Sequence, residues 1–364
     1  MASTRLTLRG VRCRAVEVPM SYVLGTSAAA VRAAPLLLVD VQTEEGVTGR
    51  TYLFCYTRAA AAPIRSMIED AASALQGAAL DPTAWWAVLY KRYTLIGVQG
   101  IVRMAMAALD TACWDALAIA ANVPLATLIG AAPKNIPAYN SCGLGLMAPP
   151  ALADEAEKLL AGGFRAMKLR LGYPTLKEDL AALAAVRARI GDGVKIMVDY
   201  NQALSVEEAL ARGHALDQHG VYWIEEALRH DDYAGYARLK RELDSPVQIG
   251  ENFSLTFAMH EALDRNACDY VMPDLERIGG VSGWRQAAAQ ANTRRMPMSS
   301  HLFPEVSAHL LAATPTAHWL EYVDWANAIV EQPLVLDDGF AVVPARPGNG
   351  LVWNEAAVAR YALV

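Results

Sequence analysis

The strongest constraint on this chain is a rhythm. From Ile136 onward, short apolar runs alternate with helix-like segments. Run 166–171 precedes a helix expected at 176–190, 195–199 precedes one at 206–219, and 221–226 one at 231–243. Run 247–250 precedes 255–266, 269–272 precedes 282–294, and 297–300 and 319–321 end the series. Ser205 and Glu208 have the spacing of a capping box at the head of one of these helices. Parallel strands need a crossover of this length, so repeated strand–helix units imply a parallel sheet. About seven of them in roughly 200 residues predict a closed (β/α) barrel in preference to an open sheet.

The residues before about 135 follow another pattern. Strands are expected at 7–18, 36–41 and 48–56, with a turn at Glu44-Glu45-Gly46, and helices at 58–77, 83–93 and 98–121. Strands first and helices afterwards make an α+β unit. After Asp324, Pro333, Pro344 and Pro347 break the rhythm, and this tail is expected to return to the first unit. The chain thus divides into 1–134, 135–323 and 324–364.

Composition narrows the function classes. With 54% hydrophobic side chains in 364 residues, the chain can bury a large core, which excludes wholesale disorder. A formal charge of −6 argues against a nucleic acid or an acidic membrane surface as the main partner. The Ala-rich stretch 116–132 is interrupted by Asn122 and Pro124, so it reads as a buried helix, a turn and a short helix, not a membrane span. The five cysteines are scattered without a CxxC pair, and residues 1–10 lack the apolar core of a secretory leader. A cytoplasmic enzyme with reduced thiols and a small-molecule substrate is expected.

Asp199, Glu225, Glu251, Asp274, His301 and Glu321 each close one expected strand, 20 to 27 residues apart. In a barrel such ends converge on one mouth. Three carboxylates there repel one another unless a cation neutralises them, and a hard divalent ion, Mg²⁺ first, suits oxygen ligands. The plainer reading is that strand-end acids cap the following helices; for three consecutive strands the metal site is favoured. Lys168 and Arg170 are two apart on one strand and share a face, where they could bind a carboxylate or move a proton. With Asp274 one strand before His301, a His–Asp dyad becomes available.

These residues sit in motifs: Asp199-Tyr200-Asn201-Gln202, Trp223-Ile224-Glu225-Glu226, Gly250-Glu251-Asn252, Pro273-Asp274, Ile278-Gly279-Gly280-Val281 and Ser299-Ser300-His301-Leu302-Phe303. From about residue 10 to the C-terminus, the chain carrying them resembles the mandelate racemase group of the enolase superfamily. The resemblance implies an α/β fold, a modified (β/α) barrel under an α+β N-terminal capping domain that the tail completes, with a lid loop at about 20–34. It implies Asp199, Glu225 and Glu251 as Mg²⁺ ligands and His301 with Asp274 as one general base. Glu321 corresponds to the acid that hydrogen-bonds the substrate carboxylate, Lys168 to the lysine that neutralises it, and Ser141 and Asn201 to polar groups lining the site. A small-molecule carboxylate partner and a homo-oligomer, with an octamer the expected form, also follow from it.

One position departs. Where the group's racemase carries Lys-x-Lys, this chain has Lys168-Leu169-Arg170. Arginine is a poor base at neutral pH, and racemisation needs an acid/base on each face of the planar intermediate. The expected activity is abstraction of the α-proton of a 2-hydroxy carboxylate, as a racemase or epimerase. The alternative is a single-base dehydratase using His301, and a metal-binding pseudoenzyme is a lesser one. The lid residues Val23, Leu24, Ala28, Ala29 and Val31 are apolar, which suits an aromatic or small apolar acid, and Tyr56 is a further pocket candidate.

Overall fold

The computed structural model describes residues 5–27 and 29–363. The chain opens with an antiparallel sheet of β1 (Leu8–Gly25), β2 (Ala30–Thr43) and β3 (Thr48–Phe54). Helices α1 (Arg58–Leu75), α2 (Pro82–Tyr93) and α3 (Gly100–Ala120) cover one of its faces. Leu37, Val39, Val41 and Leu53 bury against Ile64, Ile68, Leu109 and Cys113 there. Helix α3 approaches β3 so closely that a Cβ on Gly49 would collide with the Ala112 carbonyl oxygen.

The expected lid loop is largely strand. β1 runs to Gly25 and β2 begins at Ala30, with Leu24 opposite Val31, so only a tight turn separates them. Ala28 lies outside the described residues. Alternating polar and apolar side chains let the hairpin keep its backbone pairing while one face covers the site. Its tip is seated twice on the barrel: Ser27 Oγ donates to the Tyr200 carbonyl, and Gly25 touches Gly145, where a Cβ would overlap the Gly25 backbone.

After α4 (Leu125–Leu128) the barrel begins. Its strands and helices alternate as β4 (Asn135–Asn140), α5 (Pro149–Leu159), β5 (Ala166–Arg170), α6 (Leu176–Ile190), β6 (Lys195–Asp199) and α7 (Val206–Asp217). They continue as β7 (Trp223–Glu225), α8 (Tyr233–Glu242), β8 (Val247–Ile249), α9 (Leu255–Asp264) and β9 (Tyr270–Val271). Neighbours from β4 to β9 pair in parallel. Helix α6 starts with a Thr175–Glu178 capping box and α7 with the Ser205–Glu208 box that the spacing indicates.

Two expectations change. The run 269–272 is followed first by the single-turn α10 (Leu275–Ile278), which Asp274 caps, and then by α11 (Gly280–Thr293). The run 297–300 is not a regular strand: Met298 bridges Val271 and Ala317, and the backbone donates alternately to each side. Pro297, with no N–H, removes one donor from that ladder. Beyond α12 (Pro304–Ala312), β10 (Leu320–Tyr322) closes the circle by pairing with β4.

The tail first stays with the barrel. β11 (Val335–Asp337) and β12 (Phe340–Val342) form a hairpin whose second strand pairs with β4. Only then does it reach the first unit. The Asn349 N–H donates to Asp115 Oδ1 and Trp353 Nε1 to Asp40 Oδ1, each at 2.6 Å, and the turn after α13 (Glu355–Arg360) hydrogen-bonds β1 at Ala15 and Glu17.

His309 ties three of these parts together. Its Nδ1 accepts from the Ala126 N–H and its Nε2 faces the Asn349 carbonyl, each at 3.2 Å. That arrangement requires the neutral ring, and burial pushes its pKa down to about 4, against the ordinary 6.5. Because the folded-state value is the lower one, its contribution is complete above pH 6.5 and is lost as pH falls toward 4. In denaturant titrations, wild-type stability should therefore fall between these values by up to roughly 3 kcal/mol more than that of His309→Gln, which can keep both hydrogen bonds without charging. Parallel pH curves for the two proteins would refute this.

Candidate active site

Parallel pairing builds the site by register. Arg170 is the partner of Asp199, and Asp199 of Glu225, so the ends of β5, β6 and β7 lie in one row. Glu251 follows β8 by two residues, and Asp274 bridges directly to His301. Residues that are distant in sequence thus meet around a cavity of about 420 Å³. The hairpin contributes Leu24, Ala29 and Val31 to it, and the end of β3 adds Phe54 and Tyr56. The chain turns away from the strand ends through left-handed backbone at Asn201 (φ 45°), Gln202 (66°), Glu226 (39°) and Leu302 (52°). Such conformations are costly for side-chain-bearing residues and persist where the surroundings hold them.

At the bottom of the mouth, Lys168 Nζ lies 2.7 Å from Glu321 Oε1, 2.8 Å from Glu225 Oε1 and 3.3 Å from Asp199 Oδ2. All four side chains are almost fully buried. Burial alone would push the Lys168 pKa down, but Glu225, Glu321 and Asp199 hold it well above the ordinary lysine value. Glu225 shows the converse. Burial raises its pKa, Lys168 opposes this, and repulsion from Asp199, Glu321 and Glu251 leaves it at about 8. One ammonium is thus too little charge to keep all these carboxylates ionised.

Asp199, Glu225 and Glu251 can each bring one carboxylate oxygen within 4.8 Å of the others. Three hard oxygen donors with excess negative charge fit a divalent cation such as Mg²⁺. Trp223 Nε1 fixes the other Glu225 oxygen at 2.9 Å, and the Asn201 N–H and amide hold Asp199.

His301 Nδ1 is 2.7 Å from Asp274 Oδ2, so the Nδ1–H donates to the Asp274 carboxylate and Nε2 is left toward the cavity. The other Asp274 oxygen accepts from the Glu276 and Arg277 N–H groups and caps α10. The capping reading and the dyad reading are both true of this one residue. Burial lowers the His301 pKa, but Glu251, Glu321 and Asp274 raise it to about 9. Glu321 is driven up by burial and more strongly down by Lys168 and His301, ending well below the carboxylate range. In this arrangement it is an ionised acceptor, taking the Leu302 N–H at 2.8 Å.

Arg170 shares the cavity wall with Lys168, and both of its terminal nitrogens are engaged while its buried Nε has no partner. Nη1 donates to the carbonyls of Ser141 and Gly143, at 3.1 and 2.6 Å, and Nη2 to Ser141 Oγ at 3.0 Å. Ser141 is fully buried beneath that guanidinium and does not line the cavity, contrary to expectation. Asn201, Tyr56, Leu24 and Val31 do line it.

Gln202, Asn252 and Arg277 also face the cavity and were not singled out from sequence. Gln202 and Asn252 stand within the quoted motifs. Arg277 follows Asp274 by three residues, a spacing that places it on the first turn of a helix only once α10 is recognised.

Comparison with known proteins agrees with this architecture. Residues 8–130 match the family model of the mandelate racemase / muconate lactonizing enzyme N-terminal domain, and residues 151–357 that of the enolase C-terminal domain-like family. The chain is 32% identical to the 3,6-anhydro-alpha-L-galactonate cycloisomerase of Streptomyces coelicolor over 90% of this chain and 91% of that protein. It is 36% identical to the L-talarate/galactarate dehydratase of Salmonella typhimurium, over 72% of this chain and 66% of that one. An enolase from Bradyrhizobium, solved with magnesium and mandelic acid, superimposes with a TM-score of 0.94 at 40% identity over the whole of both chains.

Lys168→Met tests the charge balance. Removing the ammonium should destabilise the protein by about 3–5 kcal/mol in chelator, as for other broken buried pairs. With saturating MgCl₂ the loss should be smaller, because a cation among the carboxylates takes over part of the compensation. Equal losses in both conditions, read by denaturant unfolding, would show that the carboxylates hold no cation.

Proposed function

The chain belongs to the mandelate racemase / muconate lactonizing enzyme family of the enolase superfamily, and from that premise we propose that it is an Mg²⁺-dependent, single-base lyase acting on a 2,3-dihydroxy carboxylate. The observation that carries this reading is the state of Arg170. Nη1 and Nη2 donate to two carbonyls and a hydroxyl, acceptors that demand donors and hold the guanidinium charged and in place, so it offers no lone pair to a second face of the substrate, although its Nε has no partner. One base remains, His301.

Asp199, Glu225 and Glu251 would hold Mg²⁺. Bound there, the ion supplies Lewis-acid stabilisation of the negative charge that gathers on the substrate carboxylate. Neutralising the three acids also removes much of the field that keeps His301 protonated. Lys168 then neutralises one carboxylate oxygen. Glu321, facing a second anion, is pushed toward its protonated form and can donate to the other.

His301 Nε2 removes the α-proton, and the C–H electron pair delocalises into the carboxylate as an enediolate. When these electrons return, the bond from Cβ to its hydroxyl breaks, and the same Nε2 gives its proton to the departing hydroxide. Water leaves, and the enol product becomes a 2-keto acid. Asp274 keeps the ring oriented throughout.

A racemase reading is favoured by one wall of the cavity. Leu24, Ala29, Val31, Phe54 and Trp325 are apolar, as an aromatic 2-hydroxy acid requires, and the Bradyrhizobium enolase is solved with mandelic acid. The homo-oligomer expected from the resemblance is supported by the turn after α2, which leaves Leu95 fully exposed and Ile96 exposed by 67%.

Proton NMR in D₂O with Mg²⁺ decides between these readings. Across a library of hydroxy acids, deuterium should enter at one configuration only, and a 2-keto acid should accumulate from substrates with a β-hydroxyl. His301→Asn should lower both rates by at least about a thousandfold. Inversion of both mandelate enantiomers would replace the lyase reading with the racemase one, and no exchange by any acid would overturn the catalytic reading.

A further inference from the structure

The three carboxylates of the triad are not held alike. Asp199 and Glu225 end paired strands, the first fixed by Asn201 and the second by Trp223. Glu251 lies two residues past β8, and its side chain is 12% exposed, against 1% and 0% for the other two. Its place depends on the loop 250–254 that carries it. The Phe253 N–H donates to the Gly250 carbonyl and closes that loop, and Asn252 Nδ2 ties it to both Glu226 oxygens, at 2.8 and 3.1 Å.

The loop ends at Ser254, the residue before α9, where two local rules are broken. A serine at this position ordinarily accepts from a backbone N–H in the first turn of the helix. Ser254 makes no such bond. Its Oγ instead accepts from Arg103 Nη1, which comes from α3 of the capping domain. The next residue, Leu255, opens the helix from left-handed backbone at φ 59°, a costly conformation for a bulky side chain. Leu255 and Trp86 of α2 line one crevice between the capping domain and the barrel.

Arg103 is costly from its own side as well. It stands in the first turn of α3, where the helix dipole disfavours a cation. It is buried, its Nε has no hydrogen-bond partner, and among the described residues it forms no ion pair. Burial, and then the charge of Arg277, lower its pKa to about 10. Apolar packing at this position would cost less. What the guanidinium adds is a directed hold on Ser254.

We propose that Arg103 is a positioning residue of the metal centre: from the capping domain it fixes, through Ser254, the loop that presents Glu251, so that divalent-ion affinity depends on this contact between the two domains. Arg103 does not line the cavity, and its effect runs through the loop. This rests on the reading of Asp199, Glu225 and Glu251 as the metal ligands.

The test is calorimetric Mg²⁺ titration of the substrate-free protein, with Mn²⁺ paramagnetic resonance as a second readout and circular dichroism as the control for folding. Arg103→Met should weaken Mg²⁺ binding about tenfold, as loss of a group that orients a metal ligand does. Ser254→Ala should do the same, and Ser254→Thr, which keeps the hydroxyl, should restore most of the affinity. The double variant Arg103→Met, Ser254→Ala should be no worse than either single one, since both act through one contact. Trp114→Phe removes another hydrogen bond between α3 and the barrel, from Nε1 to Ser282 Oγ, and should leave Mg²⁺ affinity unchanged.

Unchanged Mg²⁺ affinity in Arg103→Met or Ser254→Ala, or additive losses in the double variant, would overturn the inference while the metal site stands. An equal loss in Trp114→Phe would also overturn it, because docking of the capping domain in general would then set the affinity. Should Arg103→Met fail to fold, the two Ser254 variants decide alone. If the wild-type protein binds no divalent ion, the metal reading and the inference fall together.

Discussion

The structure depends on one buried ammonium. Lys168 sits among Asp199, Glu225 and Glu321, each contributed by a different strand, in a place where water cannot screen them. An ion cluster of this kind is a poor source of stability compared with apolar packing. Its value lies in what it leaves unbalanced. A single positive charge against this many carboxylates keeps Glu225 on the edge of protonation and His301 charged, and that shortfall is what a divalent cation answers. The mildly acidic overall charge of the chain is uninformative about this partner, because the local balance is set by a handful of side chains.

Much of this is visible in the primary structure, for a physical reason. A strand–helix unit has nearly constant length, so the ends of successive strands recur at nearly constant spacing, and acids placed there betray their convergence. The same logic locates His301 beside Asp274. Contacts made by long side chains across the row are not legible in that way. That Arg170 buries Ser141 depends on how far a guanidinium reaches and which carbonyls it finds. The ionisation of Glu321 depends on Lys168 arriving from another strand. The apolar residues of 20–34 fit a covering segment as loop or as hairpin alike, and periodicity does not say whether backbone pairing continues. The tail shows a further limit, since β12 joins the sheet through a strand 200 residues earlier.

Arg170 illustrates how one substitution can change chemistry without disturbing the scaffold. A lysine at this position can exchange a proton across the substrate plane; a guanidinium tied to two carbonyls becomes part of the wall. On the proposed single-base reading, that face of the site is rigid, and stereochemistry follows from which hydrogen points at His301.

The hairpin tip and the end of β3 come from one folding unit, and the carboxylates, lysine and imidazole from another. Their meeting surface at Gly25 and Gly145 is bare backbone against bare backbone. Leu24, Val31 and Tyr56 can therefore change the shape of the cavity without touching the strand ends that carry the carboxylates, Lys168 and His301. The contact at Gly145 is the seam between the two units, because a single methyl group on that residue would push the covering strand off the barrel beneath it.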